Sequence, residues 1–85
     1  MSLKKCRYEI DEIDRKILDL LNHRAELAEK IGQEKKKSGM PVVNTKREHD
    51  ILARLVAMNK GPLTDRDIIV MFKQIISICR KIQQD

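Results

Sequence analysis

Apolar side chains recur at intervals of three and four residues near the start of the chain, in a stretch with no proline and with Gly32 as its only glycine. The members of this apolar stripe are Leu3, Ile10, Ile13, Ile17, Leu20, Leu21, Leu27, Ala28 and Ile31. Their spacing predicts a single helix from about Leu3 to Ser38. Such a helix would be roughly 50 Å long, whereas a compact domain of this size has a radius of gyration of only ~12 Å. We therefore expect a second chain to cover part of it.

Glycine and proline mark two breaks, at Gly39 with Pro41 and at Gly61-Pro62, and so divide the chain into three helices. The second helix is predicted from about Lys46 to Met58, after Asn44 or Thr45 as the N-cap. Its predicted inward face is Ile51, Leu52, Leu55, Val56 and Met58. The third is predicted from about Asp65 to Gln84, with a Thr64 cap. Its apolar surface is wider than one partner helix would cover, and comprises Ile68, Ile69, Met71, Phe72, Ile75, Ile76, Ile78, Cys79 and Ile82.

Two cations interrupt the apolar stripe of the first helix. Arg24 and Lys35 are eleven residues apart, which is about three turns, so they share one face at a separation of roughly 16 Å. A cation at the edge of an apolar stripe commonly extends its charged end into solvent. Two cations in register can instead bind one small anion.

Composition limits the kinds of partner. The chain has 85 residues, 2% aromatic content and a formal net charge of +5, which fits one all-α domain with an aliphatic core and an anionic partner, either a polymer or a metabolite. Nothing resembles a metal-binding spacing, a phosphate-binding glycine loop or a nucleophile arrangement. Cys6 and Cys79 look like free thiols, and no apolar run is long enough for a signal peptide or a membrane span. These features predict a cytoplasmic protein without a membrane contact.

Three further side chains are ambiguous on sequence alone. Glu48 begins the inward face of the second helix, but it would be a capping-box acid if Thr45 were the cap. Gln83 lies one turn beyond Cys79, where it either ends the buried face or belongs to a frayed terminus. Arg47 would ordinarily be a surface residue.

Taken together, these residues resemble the all-helical chorismate mutases of the AroQ class, over nearly the whole chain. Arg7 stands six residues before Ile13-Asp14. The other matching stretches are Leu20-Leu21-Asn22-His23-Arg24-Ala25-Glu26-Leu27-Ala28, Ile31-Gly32 with Lys35, Pro41-Val42, Arg47-Glu48-His49-Asp50, and Cys79 with Gln83. The lysine eleven residues after the arginine and the Arg-Glu pair after Pro-Val make the combination specific.

The resemblance implies a single domain over residues 1–85 and an intertwined homodimer with two active sites. It implies conversion of chorismate to prephenate, in phenylalanine and tyrosine biosynthesis, without a metal or cofactor. In such enzymes the residues matching Arg7, Arg24 and Arg47 hold the two substrate carboxylates, and the Arg7 equivalent comes from the other subunit. Those matching Lys35 and Gln83 contact the ether oxygen, and that matching Glu48 binds the ring hydroxyl.

Two positions depart from the pattern of the best-known members, which carry aspartate and serine where this chain has Asn44 and Cys79. If these positions contribute backbone contacts, the change matters little. If their side chains contact the substrate, affinity is lower. Both are possible substrate-binding positions and neither belongs to the expected catalytic set.

Three other functions fit parts of the sequence. An isochorismate-pyruvate lyase of the same fold would share the cationic site, although Glu48 favours the mutase by offering a partner to the ring hydroxyl. A regulatory module that binds chorismate or prephenate without catalysis would not need donors for the ether oxygen. A basic helical nucleic-acid binder is disfavoured by the scarcity of aromatic residues and by the interspersed acids.

Overall fold

The computed structural model describes residues 2–84, which form three helices. Helix α1 spans Leu3–Ser38, α2 spans Thr45–Met58 and α3 spans Asp65–Gln84. The all-α architecture and the bounds of α1 and α3 are as predicted, and α2 begins one residue earlier than expected. The sequence periodicity therefore identified every helix of the described chain.

Side-chain and glycine caps define where the helices begin and end. The hydroxyl of Ser2 accepts a hydrogen bond from the Lys5 backbone N–H at the start of α1. At its end Gly39 adopts φ 69°, a left-handed conformation that glycine tolerates best, and its N–H donates to carbonyls of the last turn. Thr64 and Asp67 cap α3 reciprocally, each accepting a hydrogen bond from the other's backbone N–H at 3.1 Å.

Helix α2 is capped by Asn44, whose Oδ1 accepts a hydrogen bond from the Arg47 N–H at 3.0 Å. The alternative cap, Thr45, is instead the first helical residue. Glu48 therefore does not occupy the capping-box position, which lies three residues after the cap. Its side chain is free to point along the inward face of α2.

Helix α3 is the central element, because it packs against both α1 and α2. The buried residues of α1 are Ala28 and Gly32, those of α3 are Ile68, Ile76 and Cys79, and α2, which is described in full, has none. Met58 was predicted to face inward, but it is 64% exposed, because it is the last residue of α2, where the helix ends. The rest of the predicted inward face is half-buried.

The molecule is elongated, measuring 54 × 24 × 15 Å with a radius of gyration of 15.9 Å. Its long dimension equals the length of α1, since 36 residues at 1.5 Å each give about 54 Å. In the part of the chain that the structure describes, no helix is both long and apolar enough to cross a membrane.

Candidate active site

A cavity of about 380 Å³ opens between the C-terminal half of α1, the following link, the start of α2 and the end of α3. This volume lies in the range of small-molecule sites. Seven of the eight residues predicted for a site line it: Arg24, Lys35, Asn44, Arg47, Glu48, Cys79 and Gln83. These residues are up to 59 positions apart in the sequence, so the fold of one chain brings them together.

Lys35 and Gln83 are joined by a hydrogen bond inside this cavity. Nζ of Lys35 donates to Oε1 of Gln83 at 3.0 Å and to the backbone carbonyl of Val42 at 2.8 Å. Because an ammonium group can only donate, the oxygen of the Gln83 amide must face Lys35, and its NH₂ group is left for another acceptor. Lys35 likewise keeps one of its three N–H donors. Gln83 is half-buried and belongs to α3, so it is not a frayed terminus.

Gly32 allows α1 and α3 to approach each other closely beside this pair. A Cβ atom at position 32 would lie 2.6 Å from the carbonyl oxygen and 2.8 Å from the Cα atom of Gln83. Real Cβ atoms essentially never approach backbone this closely, so any other residue here would force the helices apart. The sequence shows Gly32 as the only glycine of the first helix. Without the structure, it could be interpreted only as part of the family resemblance, not as a close contact between two helices.

Arg80 is the charged cavity residue that the sequence did not predict. Its Nη2 donates to Oε1 of Glu48 at 2.5 Å, which ties α3 to α2. The hydrogen bond and the negative charge of Glu48 raise the pKa of the Arg80 guanidinium above its ordinary value, against a small opposing effect of burial. Arg80 therefore remains a cation, as arginine does in proteins generally. Arg80 and Glu48 are 32 residues apart in the sequence, so no local sequence pattern predicts that they form an ion pair.

The remaining predicted residues of the cavity differ in burial and in whether their side chains already form hydrogen bonds within the protein. Arg24 is half-buried and Arg47 is exposed, and both line the cavity. Cys79 is a free thiol with 6% of its surface exposed. Asn44 already uses its side-chain oxygen to cap α2, so its amide NH₂ is the group that could contact a ligand.

Arg7 is the one predicted site residue that does not line the cavity. It is exposed on the N-terminal half of α1. Seventeen residues separate it from Arg24, a distance of ~25 Å along the helix. Its own chain therefore does not bring it to the cavity.

The electrostatic character of the cavity is strongly positive. Four cations, Arg24, Lys35, Arg47 and Arg80, stand against one carboxylate, Glu48, which leaves an excess of three positive charges. Guanidinium groups bind carboxylates with paired, charge-assisted hydrogen bonds, so the cavity is suited to a small molecule with more than one carboxylate. Among residues 2–84, no group of three His, Cys, Asp or Glu side chains is placed to hold a metal ion.

Comparisons with known proteins agree with this geometry. The chain is 37% identical over 86 residues to a bifunctional chorismate mutase/prephenate dehydratase of Aquifex aeolicus, and the match covers 96% of this chain but 24% of the relative. A chorismate mutase structure from Thermus thermophilus superimposes with a TM-score of 0.95 at 35% identity, covering 96% of this chain and 93% of the other.

A Helicobacter pylori chorismate mutase solved in complex with prephenate superimposes with a TM-score of 0.88 at 34% identity, covering 96% of this chain and 89% of the other. The chain spans about a quarter of the length of the bifunctional relatives that it matches. The profile of the type II chorismate mutases matches residues 6–84. The chain therefore belongs to the chorismate mutase type II family.

Proposed function

We propose that this chain catalyses the rearrangement of chorismate to prephenate. The observation that carries the proposal is the cavity in which Arg24, Lys35, Arg47, Glu48 and Gln83 converge with an excess of positive charge. The reaction breaks a carbon–oxygen bond and forms a carbon–carbon bond within one molecule, so it needs no nucleophile and no proton transfer. The site must hold a flexible dicarboxylate in a reactive conformation and stabilise the charge that develops.

Arg24 and Arg47 hold the two substrate carboxylates in this proposal. Clamping both ends of the molecule brings the reacting carbon atoms together, which removes much of the entropic part of the barrier. Arg47 lies in the first turn of α2 and Arg24 belongs to α1, so the two clamps stand on different walls of the cavity. Asn44 and Cys79 are further possible contacts for the bound substrate.

Lys35 and Gln83 stabilise the ether oxygen as the carbon–oxygen bond breaks. Val42 and Gln83 accept two of the Lys35 hydrogen bonds, and the third N–H is available to the substrate. The Gln83 amide, with its oxygen held by Lys35, presents its NH₂ group beside that N–H. Donors fixed in advance in this way cost no reorganisation when negative charge accumulates, which is why they accelerate the reaction.

Glu48 binds the ring hydroxyl in the same proposal. One of its carboxylate oxygens accepts from Arg80, and a carboxylate has further acceptor capacity for a hydroxyl group. This contact provides a partner for the hydroxyl of chorismate.

The functional unit in this proposal is a homodimer in which Arg7 of each chain completes the cavity of the other. The support is that Arg7 lies ~25 Å from Arg24 along α1, and that the same half of α1 exposes a row of large apolar side chains. Pairing of the two long helices would cover that row. The same pairing would bring Arg7 to the partner's site.

The test is to mix the purified protein with chorismate and follow the loss of ultraviolet absorbance, with the product identified by chromatography. We expect prephenate as the product. Binding of chorismate without turnover would mean a regulatory module instead. The same assay is run in parallel with isochorismate, and release of pyruvate there, with chorismate left unchanged in the first assay, would mean the lyase.

A further inference from the structure

Arg80 is a cation that lines the cavity, and the proposed reaction assigns no role to it. Its Nη2 is engaged by Glu48, and its Nε is buried with no hydrogen-bond partner in the described chain. A ligand in the cavity cannot reach a buried Nε. The guanidinium is bonded to Glu48 through Nη2, and the pair is half-buried, with 36% and 22% of the two side chains exposed.

The negative charge of Glu48 is unfavourable in a site that binds a dicarboxylate. A carboxylate that accepts a hydrogen bond from the ring hydroxyl lies within a few ångströms of a molecule carrying two negative charges. Like charges at that range in a partly desolvated site repel strongly. A neutral residue at this position would avoid the repulsion but would be a weaker acceptor than a carboxylate.

We propose that Arg80 is a positioning residue that resolves this difficulty: it orients Glu48 toward the ring hydroxyl and offsets its negative charge. This inference rests on the proposed function, since it assigns a use to the same cavity. Arg80 then acts on the substrate through Glu48, and its removal exposes the dianion to an uncompensated carboxylate. Glu48 would also lose the contact that fixes its orientation.

Two other roles for Arg80 make different predictions. A purely structural tie between α2 and α3 would affect folding stability and leave the KM of the folded fraction unchanged. A direct contact with a substrate carboxylate would make the loss of Arg80 equally costly whether or not Glu48 carries a charge. The charge of Glu48 is therefore the variable that separates the three roles.

The experiment is a double-mutant cycle with Arg80→Met and Glu48→Gln, in which KM and kcat for chorismate are measured at fixed ionic strength. Methionine keeps an unbranched apolar stem, and glutamine keeps the size of glutamate without its charge. We expect Arg80→Met alone to raise KM by ~10- to 100-fold with a smaller change in kcat. In the Glu48→Gln background the same substitution should change KM by less than about threefold.

Lys81→Met is the matched control, because Lys81 is an exposed cation at the next position of α3 and does not line the cavity. It should leave KM and kcat unchanged, which separates the effect of Arg80 from that of total charge. Arg80→Lys retains the charge and should keep KM within a few-fold of the parent. It also keeps the proposal testable if Arg80→Met does not fold, since a rise in KM of about tenfold with lysine present would overturn the charge argument.

The proposal fails if Arg80→Met has the KM of the parent, or if it costs as much in the Glu48→Gln background as beside the native carboxylate. The parent protein is measured first. A parent that leaves chorismate unchanged would contradict the proposed function itself, whereas an active parent with an unresponsive Arg80→Met variant would contradict only the role of Arg80.

Discussion

The two halves of α1 have the same apolar periodicity but different surroundings. In residues 24–38 the stripe includes Ala28, which is buried against the rest of the chain, and the cavity residues Arg24 and Lys35. In residues 3–23 all side chains are exposed apart from the half-buried Cys6 and Glu12. The exposed apolar residues of this half are Leu3, Tyr8, Ile10, Ile13, Ile17, Leu18, Leu20 and Leu21.

The difference teaches that periodicity defines which face of a helix is apolar but not which molecule covers it. In the C-terminal half Ala28 and Gly32 are buried, with Gly32 against Gln83 of α3. Leu27 and Ile31 of the same half are 45% and 47% exposed and line the cavity. The N-terminal half has no such cover within the described chain, and a contiguous exposed apolar face of this kind marks an interaction site. We therefore propose that the C-terminal half serves binding chemistry and the N-terminal half serves assembly. Substitutions in each half test this division.

The largest effect is expected from a charge placed on the exposed half. Ile17→Asp, at a side chain that is 47% exposed, should abolish activity although it touches nothing in the cavity of its own chain. Burial of a carboxylate in an apolar contact costs several kcal/mol, and a symmetric dimer bears that cost twice. Light scattering should show a monomer in place of a dimer.

The matched control is Asn22→Asp, which adds the same carboxylate about 140° around α1 from Ile17. Its side chain bonds to its own helix at the Leu18 carbonyl and is exposed. This variant should remain dimeric and active. An Ile17→Asp protein that is monomeric and fully active would remove the reason for assigning this half of α1 to assembly.

The next effect is expected from the cation in the covered half. Lys35→Ala should lower kcat by about a hundredfold or more, on the order of 3 kcal/mol, because the ether oxygen gains charge only in the transition state. KM should change less. Lys37→Ala removes an exposed lysine from the same turn, one that pairs with the exposed Glu34 at 3.6 Å, and should have the rate of the parent. Equal rates for both variants would make Lys35 an ordinary helix-end charge.

A pH profile distinguishes the role of Gln83 from that of a structural amide. Gln83→Glu places an acceptor where a donor is needed, and glutamate donates only when protonated, with an ordinary pKa of about 4.3. The variant should be slow near neutral pH, and its kcat should rise as the pH falls, whereas the neutral amide of the parent imposes no such rise. Identical profiles in the range where both proteins stay folded would mean that Gln83 does not contact the ether oxygen.

A smaller effect is expected from filling the close contact between α1 and α3. Alanine in place of an exposed helical glycine stabilises a protein by up to ~1 kcal/mol. Gly32→Ala should do the opposite, since its Cβ would meet the backbone of Gln83 at 2.6 Å, and it should lower kcat by roughly tenfold by displacing that residue. Thermal unfolding and initial rates measure both effects, with Gln33→Ala at the neighbouring exposed position as control. A variant that gains stability and keeps kcat would show that the close approach has no role.

The helices could be predicted from the sequence because their signals are local: apolar spacing of three and four, and breaks at glycine and proline. Met58 was assigned to the wrong side because periodicity does not show where the neighbouring helix ends. The role of Glu48 could not be chosen until the cap was known to be Asn44. Arg80 was missed because its partner lies on another helix, and an arginine beside apolar residues gives no local sign of an ion pair.

The proposed division of α1 into a binding half and an assembly half depends on Arg7, which would act in the cavity of the partner chain. The most direct test of this role is complementation in mixed dimers. Arg7→Ala and Lys35→Ala chains, each inactive alone, are unfolded together and refolded in equal amounts. If Arg7 acts in the partner's cavity, half of the dimers are mixed and one site of each is intact, so about a quarter of all sites should be active. If Arg7 acts in the cavity of its own chain, every site in the mixed dimers keeps one defect and the mixture stays inactive. If Arg7 has no role in the site, the Arg7→Ala protein is active by itself. Either result would contradict the account.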